Sequence, residues 1–165
     1  MTTEAKTLVR SASGGVRYAS WGRRLAAIAI DAVLLSIAPV AFVVFGYFQG
    51  VREGDENLYA MLDWFVFGIS IAVAFGIVSS ALYFTLLVGG SGQTVGKRAV
   101  GVAVRDARDI TQRIGYWRAL ARFVVTAIMW SVYYVPGVID SVWPLWDERA
   151  QSWHDKISRS VVVRV

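Results

Sequence analysis

Two long stretches with almost no charge constrain this chain more than anything else in it. Leu25 to Phe48 is 24 residues carrying one charge, Asp31, and Trp64 to Val88 is 25 residues carrying none. The hydrocarbon core of a bilayer takes about 20 apolar residues as a helix. A helix of that length at the surface of a water-soluble core keeps a polar face, and neither stretch has one. The pattern predicts two full transmembrane helices, over about 25–48 and 64–88. Composition agrees: 56% of residues are hydrophobic and 18% charged, against about 45–50% and about 25% in an average soluble domain. A disordered tail is excluded by the same numbers. With no Cys and one His, a disulfide scaffold and a thiolate metal site are excluded as well, so no metal and no cofactor is expected.

A third helical stretch, about 119–146, is less regular. Phe123 to Ile139 is uncharged, but Arg122 and Asp140 bound it and Pro136-Gly137 interrupts it. Proline removes a backbone donor and crowds the preceding turn, so a helix kinks or stops there. This leaves either a broken third span or a re-entrant hairpin, which membranes tolerate only against protein or water. The expected fold class is an all-α polytopic membrane protein. It has two full transmembrane helices plus that third Pro/Gly-broken element. Ser36-Ile37-Ala38 has the small residues of a leader-peptide cleavage site, but Pro39 follows directly and the apolar run continues, so the first helix is read as retained.

Charge sets the expected orientation. Five Lys/Arg lie in a basic N-terminal tail, 1–23 together with Arg24, and six lie in the loop after the second helix. The first loop carries Arg52 beside Glu53, Asp55, Glu56 and Asp63. The positive-inside rule puts the tail and the second loop in the cytoplasm and the acidic loop outside, giving a multi-pass cell-membrane protein with a cytoplasmic N-terminus. Four further Lys/Arg follow residue 146, which favours a C-terminus on the cytoplasmic side. Val100 to Arg105 and the β-branched terminus Ser160 to Val165 both read as strands. Since one strand alone is unstable, the two would pair as a small cytoplasmic two-stranded β element. The basic excess is expected to meet anionic lipid headgroups; no recognition helix or basic–aromatic binding motif points to nucleic acid.

Asp31 lies about two turns inside the first span. A carboxylate there costs at least ~2.5–3.5 kcal/mol on insertion scales, so it should face a partner or water. Arg24 lies seven residues earlier on nearly the same face but ~10 Å lower along the axis. It is expected to snorkel toward lipid phosphate. Asp31 then needs a donor from another element or is protonated; Ser79, Ser80 and Thr85 of the second helix are the expected donors. Gly68, Ala72, Gly76 and Ser80 form a strip of small residues four apart, suited to close helix packing within the chain or, less favoured, with a second chain. Gly89 to Thr94 is expected to break the second helix. The turn through Lys97 and Arg98 is too far from the phosphate-loop pattern for nucleotide binding, having Ser91 and Arg98 where Gly and Ser/Thr are required. It is read as holding both cations at the headgroup plane. His154 cannot build a zinc site alone, and a solvated interfacial pair with Asp155 is as plausible as a positioned one. Asp140 reads as a boundary charge. No catalytic constellation is visible, so an enzyme is not expected.

Three blocks, in order, resemble one family. They are Arg24-Leu-Ala-Ala-Ile-Ala-Ile-Asp31, then Gly92-Gln-Thr-Val-Gly-Lys97-Arg-Ala-Val-Gly-Val-Ala-Val104, then Trp153-His-Asp155-Lys-Ile-Ser-Arg-Ser-Val-Val-Val163. They resemble the RDD family of small bacterial integral membrane proteins, named for one Arg and two Asp. The resemblance maps that Arg to Arg24, the first Asp to Asp31 and the second to Asp155, with Asp140 as the weaker candidate. It makes 24–165 the family's membrane domain. Ser158-Arg159-Ser160 stands where Ala-Gly-Thr is usual, and Ala107 to Ile110 lacks the Gly turn often seen there. Transport is suspected for the family, and sodium/proton exchange has been suggested for some members. The expected function is therefore a small cation or proton translocator acting as a homo-oligomer, with Asp31, Arg24 and Asp155 as its site and Asp140, Lys97, Arg98 and His154 as secondary candidates. The alternative is a non-transporting accessory or scaffold protein that binds a partner membrane protein.

Overall fold

The computed structural model describes residues 16–53, 57–131 and 134–165. Most of the basic tail and the acidic positions Asp55 and Glu56 lie outside the described residues. Helix α1, Trp21–Glu53, and helix α2, Leu58–Ser91, contain the two apolar stretches and run past both ends of each. At 1.5 Å per residue each is about 50 Å long, more than the ~30 Å hydrocarbon core. At the start of α1, Arg23 and Arg24 are good helix formers, so nothing stops that helix at the edge of the apolar run. The Asn57 side chain starts α2 by accepting from the Tyr59 N–H at 3.0 Å. Gly92 ends it at φ 78°, its N–H donating to Val88 O at 2.9 Å. The break falls inside the expected segment Gly89 to Thr94. Gly89 and Gly90 are helical, and Gly89 is needed for close approach: a Cβ there would lie 2.6 Å from Tyr116 Cα.

The two long helices pack antiparallel with their backbones in contact. A Cβ on Gly46 would lie 2.6 Å from Trp64 O, and one on Gly68 2.8 Å from Phe42 O. Gly68 and Ala72 of the small-residue strip are buried against α1, Gly76 faces Pro39 at 3.6 Å, and Ser80 is half-buried. The strip serves packing within the chain. Across the apolar windows of α1 and α2 only 6% and 11% of residues are buried, so nearly the whole apolar surface faces outward, as a lipid-facing pair requires.

The remaining elements gather at one end of this pair. They are α3 (Val95–Ala99), β1 (Val102–Asp106), α4 (Gly115–Ser131), α5 (Val135–Val142), a 3₁₀ turn (Trp143–Leu145), α6 (Trp153–Ile157) and β2 (Ser160–Arg164). The expected strands do pair. β1 and β2 run antiparallel from Val102 opposite Arg164 to Asp106 opposite Ser160, and Tyr18 bridges to Val163. One small sheet thus gathers the segment before α1, the loop after α2 and the chain's last residues. A core of Ala19, Val88, Val102, Val104, Ile114, Ala119 and Val162 underlies it.

The broken third stretch expected over 119–146 is two helices, α4 and α5. α4 runs antiparallel to α2, with Tyr116 against Gly89 and Phe123 stacked on Phe84 at 6.2 Å. Pro136 does not kink a continuous helix; it sits in the first turn of α5, where its missing N–H leaves no bond unmade. Gly137 lies under the Trp130 ring, 2.7 Å from where a Cβ would stand. The Trp21 Nε1–H donates to Ser141 O at 2.9 Å, which seats the end of α5 beside the start of α1.

Candidate functional site

Asp31 is 1% exposed; one donor comes from α2 as expected, though from Tyr83, and the other two come from the loop after it. Oδ1 accepts from Tyr83 OH and from the Gly96 N–H, both at 2.7 Å, and Oδ2 accepts from Thr94 Oγ1 at 2.6 Å. Tyr83 OH in turn accepts from the Val95 N–H at 3.0 Å. After Gly92 reverses the chain, the loop folds back under the helix pair and delivers a hydroxyl and a backbone N–H to the carboxylate. Gly96 is required there, since a Cβ would lie 2.2 Å from Ala27 O and 2.9 Å from Asp31 Oδ1. Ser79 is not a donor to Asp31: its hydroxyl bonds Gly76 O at 3.3 Å, within its own helix. Among the described residues Thr85 Oγ1 is buried without a hydrogen-bond partner.

Asp155 is fully buried and lies between two guanidinium groups. Arg24 Nη1 donates to Oδ2 at 2.7 Å, and Arg122 Nη1 contacts both Oδ1 and Ser160 Oγ. Oδ2 also accepts the Ser152 N–H at 3.1 Å, so Asp155 caps the start of its own helix. Burial opposes its ionisation, but the charges of Arg122, His154 and Arg24 outweigh that and hold the carboxyl well below the usual carboxylate range. Arg24 Nη1 is therefore held by a fixed carboxylate, where a lipid phosphate was the expected partner.

Asp140 is corrected from a boundary charge to a buried group, 2% exposed. Its Oδ1 accepts the His154 N–H at 3.0 Å, and its Oδ2 lies 2.5 Å from His154 Nδ1. His154 Nε2 is 3.6 Å from Asp155 Oδ1. The histidine is thus positioned by α5 and α6 and is not a solvated pair. Lys97 is half-buried, its Nζ 5.6 Å from the centre of the Phe84 ring, while Arg98 is exposed. Burial and the nearby Arg122 push the Lys97 amine down to about 8, against the pull of Asp31 and Asp155. Among the described residues no group of three or more His, Cys, Asp or Glu could hold a metal ion.

Arg24, Asp31, Lys97, His154, Asp155 and Asp140 therefore converge at the base of the helix pair, and Arg98 stands outside. Tyr83, Gly96 and Arg122 belong to the same cluster without having been singled out as partners of the two carboxylates. Arg122 carried a signal, a cation at the edge of an otherwise uncharged stretch. Tyr83 carried none that distinguishes it from its aromatic neighbours. The model of the RDD family matches residues 18–159, a range that contains all of these residues. No curated protein and no solved structure matches the chain.

Proposed function

The chain belongs to the RDD family, and we propose that it is a multi-pass membrane protein that exchanges protons and monovalent cations through Asp31, acting as a homo-oligomer. One observation carries this reading. Asp155 is clamped by two guanidinium groups and Asp140 by a histidine, whereas Asp31 is held entirely by neutral donors. No ion pair has to break for Asp31 to change partners. Two of its three donors are hydroxyls, which rotate to present lone pairs as readily as a proton. With Tyr83 and Thr94 turned, the two carboxylate oxygens and two hydroxyl oxygens form the all-oxygen set that hard cations prefer. In this reading the Arg24–Asp155–Arg122 group is the fixed base of the site and carries no cation itself.

Orientation follows from charge and from the sheet. The positive-inside rule assigns the N-terminal tail and the loop after α2 to the cytoplasm. The pairing of β1 with β2 and of Tyr18 with Val163 supports a C-terminus on the same side. In this arrangement α4 and α5 form a re-entrant hairpin that leaves and returns on that side. Two spans and a hairpin offer few walls for a pathway, which is the reason for an oligomer. The test is flux in liposomes containing a pH dye and the reconstituted protein, under sodium or potassium pulses. A cation-dependent pH change in wild type that Asp31→Asn abolishes is the expected result. A folded wild type without flux would favour the accessory role instead, although Gly68 and Ala72 of the small-residue strip already face α1.

A further inference from the structure

The cationic cluster at the base of the helices is short of negative charge. Arg24, Lys97 and Arg122 lie together, with Asp31 and Asp155 as the carboxylates that act on Lys97, while the buried Asp140 is engaged by His154. Around Lys97 two carboxylates thus face three cations, and both carboxylates are already engaged. Asp31 is already saturated by Tyr83, Thr94 and Gly96. Asp155 is shared by one nitrogen of each arginine. Among the described residues Lys97 has no ion-pair partner, and Arg24 Nη2 is buried with no hydrogen-bond acceptor. An unpaired buried guanidinium N–H and a partly buried ammonium are both costly when left so. Other basic side chains nearby differ. Arg105 donates to Ser91 O at 3.2 Å, Arg113 to Gly90 O, and Arg118 to Asp106 and, at 2.9 Å, to Ser158 O.

We propose that Arg24, Lys97 and Arg122 form a seat for one phosphate-type oxyanion, supplied by an anionic phospholipid headgroup or by free phosphate. Arginine offers such an anion a planar fork of donors, and lysine a compact charge. Half-exposed Lys97 gives the approach, and its position over Phe84 puts the seat beside α2, at the end where the apolar helix pair meets the polar elements. The inference does not rest on the transport reading: it concerns the cations of the cluster, and it holds whether or not the protein conducts.

The test is thermal unfolding of the purified full chain in a neutral detergent at constant ionic strength. Inorganic phosphate is titrated first, then phosphatidylglycerol against phosphatidylcholine in mixed micelles. A saturable rise in midpoint of about 5 °C is expected with a phosphate anion at roughly a hundredfold its Kd. Lys97→Arg should keep the rise and Lys97→Met should lose it. Lys97→Met should also melt higher than wild type without added anion, because it removes a like charge and breaks no ion pair. A rise with inorganic phosphate identifies a free oxyanion as sufficient, and a rise with phosphatidylglycerol alone identifies the headgroup. No rise with either, or an equal rise in Lys97→Met, would overturn the proposal.

Discussion

Asp155 and Lys97 show how differently two charges of one cluster can be treated. Asp155 has a partner for each oxygen, so Asp155→Asn leaves Arg24 and Arg122 without their anion. Breaking a buried pair from one side costs about 3–5 kcal/mol, and a lowered unfolding midpoint in detergent is the readout. Its folded carboxyl is depressed, so its stabilising contribution is present above about pH 4, the ordinary carboxylate value. It is lost only as pH falls below that, through the folded value. Lys97 works in the opposite sense. Its amine titrates near 8 when folded and at 10.5 when unperturbed, so between those values the unfolded chain binds more protons. Stability should therefore rise with pH across that window in wild type, and the increment should be missing from Lys97→Met. Arg159 offers a third check. It holds φ 50° at the position where the family resemblance expects glycine, and a non-glycine residue there is strained by roughly 1–2 kcal/mol. Arg159→Gly should raise the midpoint, because the contacts it makes to Ala107 and Arg118 use only its backbone carbonyl.

The long helices and the paired strands were legible in the sequence for a common reason: each announces itself locally. An uncharged run of 24 or 25 residues needs no knowledge of its neighbours. Two β-branched segments, each unstable alone, also imply one another. The third stretch stayed open between a broken span and a hairpin because Pro136 has two meanings, a kink inside a helix or a first-turn residue of a new one. Only the packing of Trp21 on Ser141 and Trp130 on Gly137 distinguishes them. Asp31 could be picked out as a buried carboxylate, but its donors lie 52, 63 and 65 positions away, and Arg24 meets Asp155 across 131. Periodicity within one helix carries no information at that range. The contact of α1 with α2 gives the element-scale prediction. Gly68→Leu would push a side chain into Phe42 O and Gly46, forcing the backbones apart. A loss of about 3 kcal/mol is expected, at the upper end for overpacking, and Gly76→Ala, which meets only Pro39 Cγ at contact distance, should cost little.

At the scale of the whole molecule, an apolar helix pair carries a polar base, and the base is closed by residues from both ends of the chain. With no native Cys, single cysteines report sidedness cleanly. Val16, Ile110, Val165 and Tyr59 are all exposed. Cysteines at the first three should react with a membrane-impermeant maleimide from one side, and Tyr59→Cys from the other. The functional claim turns on Asp31 changing partners while Asp155 does not. The most direct measurement is the infrared difference spectrum of the lipid-reconstituted full chain between sodium-loaded and sodium-free buffer, read in the carboxyl C=O region. The expected result is a protonated-carboxyl band that appears when sodium is withdrawn and is absent from Asp31→Asn. A sodium-dependent spectrum identical in wild type and Asp31→Asn would contradict it.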